Sequence, residues 1–152
     1  MTIRVAAVLV VLAVTSAMAQ PSDAPEPPPG ADSWSLRIHT TGGFTGQGIG
    51  SVTISSNGQL ACGPAPCATP IAATMLQPVS TVIASVVNSP WILRTPSGLC
   101  RDCVQTTITL KRRDGDLVEV YRASWDDSQP PSAELRELRR LAFELRAARA
   151  GR

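Results

Sequence analysis

Alternation of apolar and polar residues marks the strands first. Trp34, Leu36 and Ile38 fall on one face of an extended segment, and Ser35, Arg37 and His39 fall on the other, the period-two pattern of a half-buried strand. Val52 and Ile54 repeat that pattern within Ile49–Ser55, and Asn57-Gly58 then supplies a turn, with Gln59-Leu60-Ala61 briefly resuming a strand. Later, Val104, Thr106, Ile108 and Leu110 alternate up to Lys111, the run Arg113-Asp114-Gly115-Asp116 signals a hairpin, and Leu117 to Trp125 returns as the partner strand. In that last strand either face can point inward, because Leu117, Tyr121, Ala123 and Trp125 compete with Val118 and Val120.

Helical spacing replaces alternation twice. Val79, Val82, Ile83, Val86 and Val87 share one face of a helix predicted from Pro78 to about Asn88, with proline at the first position, where its missing N–H costs little. Leu135, Leu138, Leu141, Ala142 and Leu145 form the stripe of a second helix capped by Ser132, with Glu134 near its start and Arg146, Arg149 and Arg152 near its end, each sign favoured by the helix dipole. Glu137 and Glu144 interleave with its arginines and read as a solvated face. The order predicts an α+β domain over residues 33–149: an antiparallel sheet of about four strands, with a central and a C-terminal helix packed on one face.

Composition before residue 33 changes the picture. Arg4, the apolar run Val5–Val14 and the small residues ending at Ala19 have the layout of a secretory signal over residues 1–19. The run is too short for a spanning helix, which needs about twenty residues. Residues 20–32 carry Pro21, Pro25, Pro27, Pro28, Pro29 and Gly30 and almost nothing to bury, as in a disordered tether. The expectation is a secreted or periplasmic chain without membrane insertion after cleavage. Cleavage removes Arg4 from the 14 basic residues and leaves 13 against 12 acidic. A balance so near zero gives no electrostatic basis for a nucleic-acid partner.

Five of the eleven glycines lie between Gly42 and Gly50. A phosphate-binding loop would lead into a helix, whereas this one joins two strands and therefore reads as a shaped connection. The candidate binding residues are Gly42, Gly43, Phe44, Thr45, Gly46 and Gly48, with Phe44 the one large apolar side chain among them. The competing role for Phe44 is a plug in the core.

Four cysteines in an exported chain read as two disulfides with three possible connectivities. The local pairs Cys62–Cys67 and Cys100–Cys103 are expected, with cross-linking of the two clusters as the alternative. Cys100-x-x-Cys103 also fits thiol-disulfide exchange, but such a motif sits at a helix N-terminus, and here Cys103 leads into a strand. A four-thiolate zinc site is disfavoured in an oxidising compartment, so neither metal nor cofactor is expected. His39, the sole histidine, is a candidate base and reads more simply as a surface residue. Asp126 and Asp127 are paired carboxylates beside Trp125, better explained as a strand-stopping turn. No nucleophile, base and orienter assemble from these residues.

The run Gly42-Gly43-Phe44-Thr45-Gly46 after a strand, followed by a central helix, a strand pair and a leucine-rich C-terminal helix, resembles the emfourin family. Those small bacterial proteins inhibit thermolysin-like metalloproteases. The resemblance covers Trp34 to Leu145 in layout, and its specific part is the glycine run. It implies a binding module whose partner is another exported protein, in the sharpest form a metalloprotease. The signal segment, the proline-rich stretch and the cysteines are additions to that pattern. The alternative is a small periplasmic enzyme using Cys100 and Cys103, or His39.

Overall fold

The computed structural model describes residues 24–30, 32–43, 50–61, 70–88, 102–129 and 131–150. In chain order these form β1 (Trp34–Gly42), β2 (Gly50–Ser55), β3 (Leu60–Ala61), α1 (Ala73–Val86), β4 (Val104–Asp114), β5 (Leu117–Asp126) and α2 (Ala133–Ala150). The strands make one antiparallel sheet in the order β3-β2-β1-β4-β5, so β1 lies at its centre. This is the α+β architecture expected from the alternation, with one more strand than the expected four. The fifth is β3, the brief resumption expected at Gln59-Leu60-Ala61, two residues long and paired with Thr53 and Ile54.

Register explains why one face is apolar. Ile54, Leu36, Leu110 and Tyr121 lie opposite one another across four strands, and Val52, Ile38, Ile108 and Ala123 form the next row. A one-residue slip in any strand would turn its whole set outward, so burial of this face fixes the pairing. Leu76, Val79, Ile83 and Val86 of α1 and Leu135, Leu138, Ala142 and Leu145 of α2 join the same hydrophobic cluster. Each of the leucines, valines and isoleucines contributes roughly 1.5–3 kcal/mol when fully buried. The register also settles β5: Tyr121, Ala123 and Trp125 face the helices, and Val118 and Val120 face away.

Helix α1 begins earlier than its proline suggested. It starts at Ala73 and holds Pro78 inside. Ile71 and Leu76 are buried in the core, so tertiary packing sets the start. The carbonyl that Pro78 cannot reach belongs to Thr74, which is exposed and can be served by water. No charged residue stands in its first or last turn and no side chain caps its start, so packing carries its stability. At α2, by contrast, Ser132 Oγ accepts the N–H of Leu135 at 3.4 Å, the capping expected from the sequence.

Residues 24–30 form neither helix nor strand, yet they do not hang free. Ala24 is 3% exposed, and Ser35 Oγ and Ser33 Oγ donate to the carbonyls of Pro25 and Pro28. Glu26 lies 3.3 Å from Arg113 and Asp32 lies 3.4 Å from Arg112. The segment straps the outer face of the sheet and buries Ser35 completely, although alternation placed that residue on the polar side. Backbone carbonyls make two of these contacts, which is why composition alone suggested a tether.

Candidate functional site

The glycine run is the β1–β2 connection, and its two ends are rooted in different elements. On one side Gly42 has φ 84° and Gly43 φ 75°, left-handed backbone that glycine adopts without a Cβ penalty. A Cβ on Gly42 would stand 2.4 Å from the carbonyl oxygen of Cys103. Gly43 donates its N–H to that same oxygen at 3.2 Å. Gly42 is thus fixed as glycine twice over, by conformation and by the closeness of the backbone that opens β4.

Across the hairpin, Gly50 has φ 85° and pairs with Thr40. The buried Thr40 hydroxyl donates to the Gly50 carbonyl at 2.9 Å. A Cβ on Gly50 would meet the Arg146 guanidinium at 3.2 Å, so this side of the hairpin lies beside the last turns of α2. Arg146 lies over the Phe143 ring, 5.8 Å from its centre. Phe143 and Arg146 in turn line a shallow groove of about 580 Å³ along the outward face of α2, bordered by Arg136, Arg139, Arg140 and Glu144. Sequence reading missed this groove. Its one signal was Phe143, an aromatic standing off the leucine stripe.

Electrostatics along the groove are largely internal. Arg140 Nε donates to Glu137 at 2.7 Å, and its Nη1 reaches Glu144 at 2.5 Å. Those bonds hold the guanidinium pKa above its ordinary value, and the Arg140 bond holds the Glu137 carboxyl below its own. Glu134 is also lowered, first by its own backbone N–H and then by Ser132, as suits a carboxylate at a helix start. Arg139 lies 3.9 Å from Asp127. On this face Arg140 is paired within the helix and Arg139 with the turn that precedes it, and Phe143 is the apolar feature.

Of the six candidate loop residues, the structure places Gly42 and Gly43 at the root, while Phe44, Thr45, Gly46 and Gly48 lie outside the described residues. Cys103 is disulfide-bonded. Cys62, Cys67 and Cys100 lie outside the described residues, and so does the expected pairing. Cys103 immediately precedes β4, so its surroundings are a strand start and not the helix N-terminus that depresses a thiol pKa.

His39 lies one position from the Thr40–Gly50 pair, half-buried on the outer face between Ser51 and Thr107. Its Nδ1 is enclosed without a hydrogen-bond partner. Neither direct cross-strand neighbour is a carboxylate that would orient an imidazole for base catalysis. Asp126 Oδ1 accepts the N–H of Ser128 at 2.9 Å, which closes the turn after β5. Its carboxylate is thereby committed to the chain stop. Among the described residues, no cluster of three metal-ligating side chains occurs. No family model, curated protein or solved structure matches this chain.

Proposed function

We propose that this protein is an exported binding module that engages another exported protein through the Gly42–Gly50 hairpin loop, with the Phe143 groove of α2 beside it. One observation carries the reading: the loop is rooted on Gly42 and Gly43 against the Cys103 carbonyl and on Gly50 through the Thr40 hydroxyl, with Arg146 beside it. A connection with few side chains, held at both ends, meets a partner with part of its ordering entropy already lost, and this favours affinity. Glycine backbone also permits close approach to a neighbouring chain. The resemblance of Gly42-Gly43-Phe44-Thr45-Gly46 to emfourins makes a thermolysin-like metalloprotease the partner to try first.

The test is capture of exported proteins on the immobilised chain, followed by assay against a thermolysin-like protease. Inhibition at micromolar concentration or below is expected. Phe44→Ala should weaken the complex by about 2 kcal/mol or more, the level of an interface hot spot, with thermal stability nearly unchanged. A loss of about 3–5 kcal/mol in folding stability would instead make Phe44 a core residue. Absence of both a captured partner and inhibition would overturn the reading.

A further inference from the structure

At the opposite end of the sheet from the glycine loop, the edge strand β5 presents an unusual surface. Leu117 is 73% exposed and Val120 is 51% exposed, two of the three large apolar side chains left open among the described residues. No strand lies beyond β5 among the described residues. An edge strand offers a row of backbone donors and acceptors to any extended chain that aligns with it.

The outer face at this edge has a definite charge. Lys111 lies opposite Val120, Arg113 opposite Val118, and Thr109 opposite Arg122. Lys111, Arg113 and Arg122 therefore surround Val118 and Val120 on one face. The outward positions of β4 and β5 hold no carboxylate until Asp126 at the strand end. Glu119 faces the other side and accepts the Tyr121 hydroxyl at 2.6 Å. The chain already shows what this face receives: Glu26, on the extended 24–30 strap, is held 3.3 Å from Arg113.

We propose that the Leu117–Arg122 edge takes up an extended segment of a partner polypeptide as an additional strand, selecting one with acidic and aliphatic residues on the same face. Main-chain pairing would supply the attachment and alternate side chains the selection. A second copy fits less well. Antiparallel pairing of two β5 edges about a two-fold axis keeps both outer faces on the same side. That arrangement puts Arg122 of both copies on one face of the joint, and like charges across strands are destabilising.

The probe is a synthetic peptide, Thr-Glu-Thr-Val-Thr-Val-Thr. Run antiparallel to β5, it sets its glutamate opposite Arg122 and its valines opposite Val120 and Val118. Titrated into the isotope-labelled chain, it should shift the amides of Leu117 to Arg122, and the effect should weaken as salt rises. Replacing its glutamate by lysine should weaken binding roughly fivefold. Arg122→Glu should weaken the acidic peptide roughly fivefold and favour the lysine peptide, since an opposed pair becomes a like pair. Arg122→Gln gives the same direction with a smaller change should the reversal disturb folding, which an unchanged thermal midpoint would exclude. Equal shifts with both peptides, or none along β5 at millimolar peptide, would overturn the proposal. So would self-association of the chain alone that Val120→Lys abolishes, because the edge would then belong to a second copy.

Discussion

Two hairpins of the sheet, β4–β5 and β1–β2, use glycine for different reasons. In the β4–β5 hairpin Asp114 pairs with Leu117, so Gly115 and Asp116 form the whole connection. Gly115 has φ 59° and nothing within 4 Å of where a Cβ would stand. It answers only to the turn's own geometry. Gly42, at the base of the β1–β2 hairpin, answers to the same backbone requirement and also to a carbonyl oxygen contributed by the start of β4. One hairpin is specified locally and stands clear of its surroundings, while the other is held by parts of the chain remote from it. Local sequence therefore suffices to locate a turn, whereas tertiary neighbours decide how firmly it is held.

The largest test of this contrast is Gly42→Ala. Left-handed strain of about 1–2 kcal/mol combines with overpacking against Cys103 of about 1–3 kcal/mol, so a loss near 3 kcal/mol is expected in urea denaturation. A loss no greater than that of Gly115→Ala would erase the distinction. Thr40→Val comes next, because it leaves the Gly50 carbonyl without the hydroxyl that now bonds it. About 1–2 kcal/mol should disappear, accompanied by faster amide exchange around Gly50. Gly115→Ala should cost only about 1 kcal/mol, the conformational part alone, with Gly115→Asn closer to neutral.

The smallest effect concerns pH. Glu134 and Glu137 of α2 have folded-state pKa values below the ordinary carboxylate value. Their contribution is therefore complete above the unfolded pKa and is lost as pH falls through the folded values. Both carboxylates lie at the solvent-facing surface of α2, partly exposed, so the decline should be slight. Because α2 reaches the β1–β2 hairpin through Arg146, acidification should loosen amides near Gly50 before those near Gly115. Residue-resolved exchange at two pH values checks the order.

How much of this was legible in sequence follows from the range of the interactions. Alternation located β1, β2, β4 and β5 and the inward faces of the first three, since period two is written locally. It could not choose the face of β5, where apolar residues occupy both sides; the choice comes from pairing Ala123 with Ile108 and Trp125 with Thr106. Pro78 misled on the start of α1, because burial of Ile71 and Leu76 outweighs one absent hydrogen bond near an exposed helix start. At the site, the glycine run itself was visible. Its roots were not, because Cys103 acts through a backbone carbonyl that every residue has, and Arg146 reads as one of many helix arginines.

The central place of β1 has a consequence for how the protein is made. Its pairing with β2 closes a nearby loop and can form as soon as both strands have been synthesised. Its other edge pairs Trp34 with Arg112 and Gly42 with Val104, and must wait until α1 and everything before β4 have followed. Loop-closure entropy makes such late, distant pairing slow. For that interval the strand that will become the middle of the sheet is an open edge carrying Leu36 and Ile38, at its most exposed to pairing with other chains. The nascent protein is thus most vulnerable along the strand that the finished protein shields best.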